Sequence, residues 1–347
     1  MAKKVNEFIG IPISSSLKWQ FLELDEFKKM KGKKVFSNDE ARKFVDELFD
    51  AVAKESLEKI VELIKKDTAK FLVFSTYAKA YISKISTTYG DYLDSSIYLN
   101  KFILSSYPHI ILYKQGKPFE SRFNKVNSGY MGALKMTILE EQIHSIQENL
   151  SETNKAAVIQ VNSINEELAK IILELDDTTV SKLSEYLRLE PIGDDFPTAK
   201  RASLFFMLNP DNFIVNVLGP DVMTYTKVEV DPKISEMVPK LLDIYQRWLK
   251  PIQTHHAAFT TMEGMAEFAV QNILKDDEDF QNYLTTFLGT DPTTYQIRKS
   301  MGKDFAQAIY EKHGKESFKM MIKNPPSTLE LKDPQLYLKR VQSHATV

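Results

Sequence analysis

The sequence predicts a mainly helical α+β protein. Three observations carry that prediction. Only 12 glycines and 14 prolines interrupt 347 residues. Apolar residues recur three or four positions apart over long stretches, the period of a helix that buries one face. One segment, Tyr107–Gly116, has a β-branched centre with Pro near its start and Gly after it, which marks a strand followed by a turn.

The elements follow in order. Ser37-Asn-Asp-Glu40 reads as a capping box opening a helix that runs to about Lys66. Phe44, Val45, Leu48, Phe49, Val52, Leu57, Ile60, Val61 and Leu63 form its apolar set, and it divides near Ser56. A helix is expected over Leu72–Ile85, with Tyr77 and Tyr81 four apart, before the Tyr107–Gly116 strand. Asn127–Tyr130 reads as a break and Gly129–Gly132 as a turn. Helices follow over Ala133–Leu150 and Asn154–Leu175. Residues 191–230 are mixed. A helix over Val238–Leu249 is ended by Pro251, and another covers His255–Leu274. Lys299–Ile322 holds one or two helices, with breaks expected at Gly302 and Gly314. A Pro-rich tail starts at Asn324.

Composition removes several classes of function. Lys plus Arg number 45 and Asp plus Glu 47, for a net charge of −2, which does not fit a dedicated nucleic-acid binder. There is no cysteine, so disulfides, thiolate zinc sites, iron–sulfur clusters and cysteine nucleophiles are all excluded. Met-Ala-Lys-Lys-Val is followed by no apolar run of a secretory signal, and no window is apolar enough to span a bilayer. A cytoplasmic, soluble protein with no membrane partner is expected. No phosphate-binding glycine loop, dinucleotide fingerprint or G-x-S-x-G elbow is present. A di-iron bundle needs two E-x-x-H units, and only Glu141–His144 supplies one. The Lys28–Lys34 run reads as a solvated loop, Tyr77 and Tyr81 as helix packing, His109 as a core residue, and His313 as a cation at a helix C-terminus.

The most informative spot is Glu140-Glu-Gln-Ile-His144. On a helix, residues four apart project the same way. The spacing is that of H-E-x-x-H, where two ligands hold zinc and the intervening Glu is the general base, with Glu in the first ligand position. A carboxylate ligates zinc at about 2.0–2.2 Å, so the substitution keeps a donor. The competing reading is a polar stripe on a solvated face. Later, Thr261-Met-Glu263-Gly264-Met-Ala266-Glu267 sets a glycine inside a predicted helix. That costs about 1 kcal/mol relative to Ala. It points to a close approach, by another helix or by a metal site.

Four pieces in one order, Glu140–Asn149, Glu263–Ala266, Gly302–Gly314 and Pro325–Leu338, resemble a family of zincin-like metallopeptidase homologues of bacteria and archaea. That family reads H-E-L-x-H-A-L-Q-D-Q, then E-G-x-A, then a tail P-P-x-S-T-E-Q-x-L-H-P-x-x-Y-L. Gln147 matches the family Gln, Glu263-Gly264-Met-Ala266 the second motif, and Pro325-Pro326-Ser327-Thr328, Pro334 and Tyr337-Leu338 the tail. The resemblance covers about 127–340. It implies a zincin-like core there, with residues 1–120 as an N-terminal helical region. It further implies a metal held by Glu140, His144 and Glu263, with Glu141 as the base that activates water against a peptide or protein substrate. The departures are Glu140 for the first His, Asp333 where the tail has His, and a missing spacer after the proline pair.

Two carboxylates and one imidazole make a harder site than His₂Glu, which favours manganese or iron over zinc. His256, seven residues before Glu263, shares a helix face with Thr260, Glu263 and Glu267. His256 is therefore an alternate ligand, and Glu267 an alternate to Glu263. A second reading, from another class, is a catalytically inactive zincin-fold protein kept for binding or assembly.

Overall fold

In the computed structural model, the described residues are 2–35, 39–74, 88–104, 123–192, 197–211, 227–286 and 294–344. They are mainly helical with one small sheet, as the α+β expectation has it. The Tyr107–Gly116 strand, most of the Leu72–Ile85 helix and the Ser37 cap lie outside the described residues.

The sheet comes from strands that periodicity did not mark: β1 (Lys18–Leu22), β2 (Gly90–Leu93) and β3 (Ser96–Asn100), in the order β1-β3-β2. β3 pairs parallel with β1, Lys18 opposite Ser96, and antiparallel with β2, Gly90 opposite Leu99. The β2–β3 hairpin closes through Asp94 and Ser95, both at positive φ (49° and 58°). That is the turn hand that matches strand twist, reached here with Asp-Ser in place of the usual glycine pair. The burial of these strands does not alternate, β1 being almost wholly exposed and β3 almost wholly buried, so they leave no period of two.

The chain groups into two compact units. The first comprises Met1–Val35, Tyr81–Thr153 and Ala257–Val347; the second comprises Phe36–Ala80 and Asn154–His256. The boundary expected between 1–120 and 127–340 adjoins residues 105–122, which lie outside the described set.

The first unit carries the sheet, the Phe123–His144 helix, the C-terminal half of the Leu241–Ile273 helix, and the Thr294–His313 helix. Its core joins Leu139 and Ile143 to Met265, Ala266, Phe268 and Ala269, and to Phe305, Ile309, Phe318 and Tyr337. Phe8 stacks on Tyr310 at 5.1 Å, and Phe305 meets Tyr337 edge to face at 5.3 Å. The Phe123–His144 helix begins before the expected break. Asn127–Tyr130 and Gly132 are helical, because Gly132 lets the helix press onto the Asp279 carbonyl. A Cβ there would lie 2.1 Å from that oxygen. Lys135 adds ion pairs to Asp277 (2.7 Å) and Asp279 (2.8 Å).

Two further expectations are corrected. Pro251 does not end a helix; Leu241–Ile273 runs through it. A helical proline costs about 3 kcal/mol. Here its neighbours Trp248, Leu249 and Ile252 are all buried, so packing of the face outweighs one missing hydrogen bond. His255 and His256 are therefore mid-helix, not a helix-start pair. Gly302 likewise lies inside the Thr294–His313 helix, whereas Gly314, at φ +55°, does end it, its N–H donating to the Tyr310 carbonyl at 2.7 Å.

The Pro-rich tail has a local structural account. Ser327 and Glu330 form a reciprocal capping box on the Thr328–Lys332 helix, and Asp333 accepts from Gln335 N–H at 3.0 Å to cap the next. Arg340 holds Glu330 at 2.6 Å and the Pro325 carbonyl at 3.0 Å. Asp333, where the resembled family has His, thus works as a helix cap.

The second unit divides as expected at Ser56, whose hydroxyl caps the Leu57–Lys66 helix. Within it, the Asp211 carboxylate accepts from Trp248 Nε1 at 2.6 Å and from Asn165 Nδ2 at 2.5 Å. Burial pushes that carboxyl up to about 6, and the two neutral donors pull it back only partly. A raised pKa means the folded state holds the proton more tightly. Stability from this group is thus present at about pH 4 and falls as pH rises through 6, by on the order of 3 kcal/mol. Asp211→Asn is expected to flatten that slope in urea titrations between pH 4 and 7. A slope as steep as the parent's would refute the assignment.

Candidate metal centre

The site is built where the Phe123–His144 helix meets the Leu241–Ile273 helix inside the first unit. Glu140 and His144 are four apart on one face of the former. Glu263 comes from the latter. One ligand atom from each of Glu140, His144 and Glu263 lies within 4.8 Å of the other two. His144 Nε2 stands 3.9 Å from Glu263 Oε1.

The helix ends at His144, earlier than Leu150. Ile146 and Gln147 close tighter turns onto the Ile143 and His144 carbonyls, both at 3.1 Å, and a new helix starts at Glu148. This break has a consequence for the histidine. It sets Gln147, fully buried, beside the His144 ring. Gln147 Nε2 donates to the Met262 carbonyl at 3.1 Å, so its amide oxygen turns toward the ring. That oxygen lies 2.8 Å from His144 Nδ1 and accepts its proton. Nδ1 therefore carries a hydrogen, which leaves Nε2, facing Glu263, as the ring atom that a metal would take. His144 is also the last residue of its helix, the end whose carbonyls favour a cation.

This donor set fits a divalent ion. Tetrahedral ligands at 2.0–2.2 Å lie about 3.4 Å apart, a modest contraction from the observed spacing that side-chain rotation can supply. The three side chains are only 12–15 % exposed. Gln147→Ala is expected to weaken metal affinity about 10- to 100-fold without changing stoichiometry. Competition with a coloured chelator measures it, and an unchanged affinity would remove Gln147 from the site.

The other sequence candidates fall differently. Glu141 is buried at 6 % exposure, within a 100° arc of Glu140 and His144 on the helix, and is not part of the three-residue group. Glu267 is also outside the group; its oxygens face Lys299 (3.2 Å) and Gln271. His256 belongs to the second unit and is not in the group either; its neighbour His255 lies 2.6 Å from Asn154 Oδ1 through Nδ1.

Lys299 is the residue that the sequence did not disclose. Its ammonium pairs with Glu140 Oε1 and with Glu267. Nothing local marks it, because the contact depends on how the Thr294–His313 helix crosses Leu241–Ile273. That crossing is set by glycines. A Cβ on Gly264 would lie 2.0 Å from the Gly302 carbonyl carbon, and one on Gly302 would lie 2.0 Å from the Thr260 oxygen. The close approach expected at Gly264 is therefore to another helix.

Among the described residues, no helix is long and apolar enough to cross a membrane. Comparison with known proteins gives no match to any family model, any curated protein or any solved structure.

Proposed function

We propose that this protein is a metal-dependent hydrolase acting on peptide-like bonds, with Glu140, His144 and Glu263 as the metal ligands. The observation that carries the reading is His144: its Nδ1 hydrogen is held by Gln147, and its Nε2 faces two carboxylates from separate helices. A divalent ion there would supply Lewis-acid polarisation and a more acidic water. Glu141 is the base in this reading. Its carboxylate, next in the chain to Glu140 and about 100° around the helix from it, accepts the proton of the attacking water and returns it to the leaving amine. The carboxylate-rich donor set favours manganese or iron alongside zinc.

One observation favours the second reading, a zincin-like protein that binds or assembles without catalysis. Lys299 already neutralises Glu140, the residue in the first ligand position.

Metal content by mass spectrometry tests the proposal, on protein purified without chelator beside a His144→Ala, Glu263→Ala double variant. About one metal per chain, absent from the variant, is expected. No metal in the parent after soaking with zinc, manganese or iron would sink the hydrolase reading and leave the binding or assembly role.

A further inference from the structure

The Lys299 ammonium sits between two carboxylates, Glu140 and Glu267, beside the His144–Glu263 pair. We infer that Lys299 is a tethered cation that competes with the metal for Glu140, so that loading the centre requires Lys299 to withdraw onto Glu267. This rests on the metal-centre reading and adds its regulation.

The argument is electrostatic and geometric. Glu140, Glu263 and Glu267 bring three negative charges into a partly enclosed site, where their side chains are 12–23 % exposed. Lys299, itself only 14 % exposed, is the cation seen to pair with two of them. Charges so placed interact more strongly than surface charges, because less water screens them. A divalent ion held by Glu140 would stand within one carboxylate of the ammonium, and the two cations would repel.

Glu267 gives the ammonium a place to go. It lies one turn from Glu263 on the same helix, and its Oε2 is already 3.2 Å from Lys299 Nζ. Lysine suits the role because its charge is compact and rides on a flexible four-carbon stem. Withdrawal keeps one ion pair intact, so Lys299 is not stranded when Glu140 turns to the metal. In the loaded site the ammonium and the divalent ion then stand against the carboxylates of Glu140, Glu263 and Glu267, beside Glu141. A site of this design binds its ion more weakly than the same ligands would without the lysine, because the ion must outcompete a side chain.

Zinc and manganese titrations of the full chain, read by calorimetry, test the inference in the parent and in Lys299→Met, Lys299→Gln and Lys299→Arg. Folding of each is checked by circular dichroism. Lys299→Met and Lys299→Gln are expected to bind metal at least tenfold more tightly than the parent, with Lys299→Arg close to the parent. Metal bound by the Met and Gln variants but not by the parent would overturn the withdrawal onto Glu267, and the hydrolase reading with it, because the lysine would then exclude the ion outright. Equal or weaker binding in the Met and Gln variants, with the parent binding normally, would overturn it while leaving the metal centre in place. No binding in any of the four proteins would overturn the metal centre and the competition together.

Discussion

Gly302→Ala is expected to destabilise the first unit by about 3 kcal/mol or more, although alanine is the better helix former by about 1 kcal/mol. The added methyl would sit 2.0 Å from the Thr260 carbonyl oxygen, and that oxygen is backbone, with no rotamer to escape into. The two helices would have to move apart, which loosens Phe305 and Ala306 against Met265 and Ala269 in the shared core. Gly264→Ala meets the Gly302 backbone at 2.0 Å and is expected to act alike. Gly314→Ala is the control. No atom lies within 4 Å of the methyl it would add, so only its positive φ of 55° opposes it, at about 1–2 kcal/mol. Thermal melting followed at 222 nm checks the set. A Gly302→Ala protein melting within about 2 °C of the parent would refute the tight crossing. The same separation would carry Lys299 away from Glu140. A destabilised but still folded Gly264 or Gly302 variant should therefore lose the Lys299 contact as well.

Glu141→Gln is expected to lower hydrolysis of peptide substrates by roughly 10²- to 10⁴-fold at unchanged metal stoichiometry. The change is nearly isosteric, which matters at a side chain only 6 % exposed. It removes the proton acceptor and none of the three proposed ligands. Loss of turnover with the metal retained would separate the base from the metal-holding group. Initial rates on a panel of quenched-fluorescent peptides, read beside metal content, provide the measurement. A variant that cleaves as fast as a cleaving parent would remove Glu141 from the mechanism. A metal-loaded parent that cleaves no peptide would turn the reading toward the binding or assembly role.

Much of this site was legible along the chain because it obeys local rules. Glu140 and His144 meet by helix periodicity alone, since four residues make slightly more than one turn. Glu263 entered through the resemblance of Glu263–Ala266 to the E-G-x-A motif, while the helical cost of Gly264 pointed to a close approach nearby. Ser56 read correctly as a break because a cap is a bond between a side chain and its own next turn. Gly314 read correctly because its backbone takes a left-handed conformation.

The misreadings share one cause. Pro251, Gly302 and the Asn127–Gly132 stretch carry breaker residues, yet all lie inside helices. Local propensity there is worth about 1–3 kcal/mol, and burial of a long apolar face or a backbone-to-backbone crossing exceeds it. The reverse holds at Ser145–Gln147. Apolar spacing runs on through Ile146 and Leu150, but the helix stops so that Gln147 can reach both His144 and the Met262 carbonyl. A contact between residues 115 positions apart leaves no periodic trace.

By itself, then, the sequence determined the helical class, the absence of thiol chemistry and the shared helix face of Glu140 and His144, through composition and helical spacing, while Glu263 came from the family resemblance. The tertiary structure alone decided that those three converge, that His144 presents Nε2, that His256 and Glu267 stand outside the group, and that Lys299 reaches Glu140. Each of these depends on where separate helices cross, and the crossing is set by packing of residues far apart in the chain.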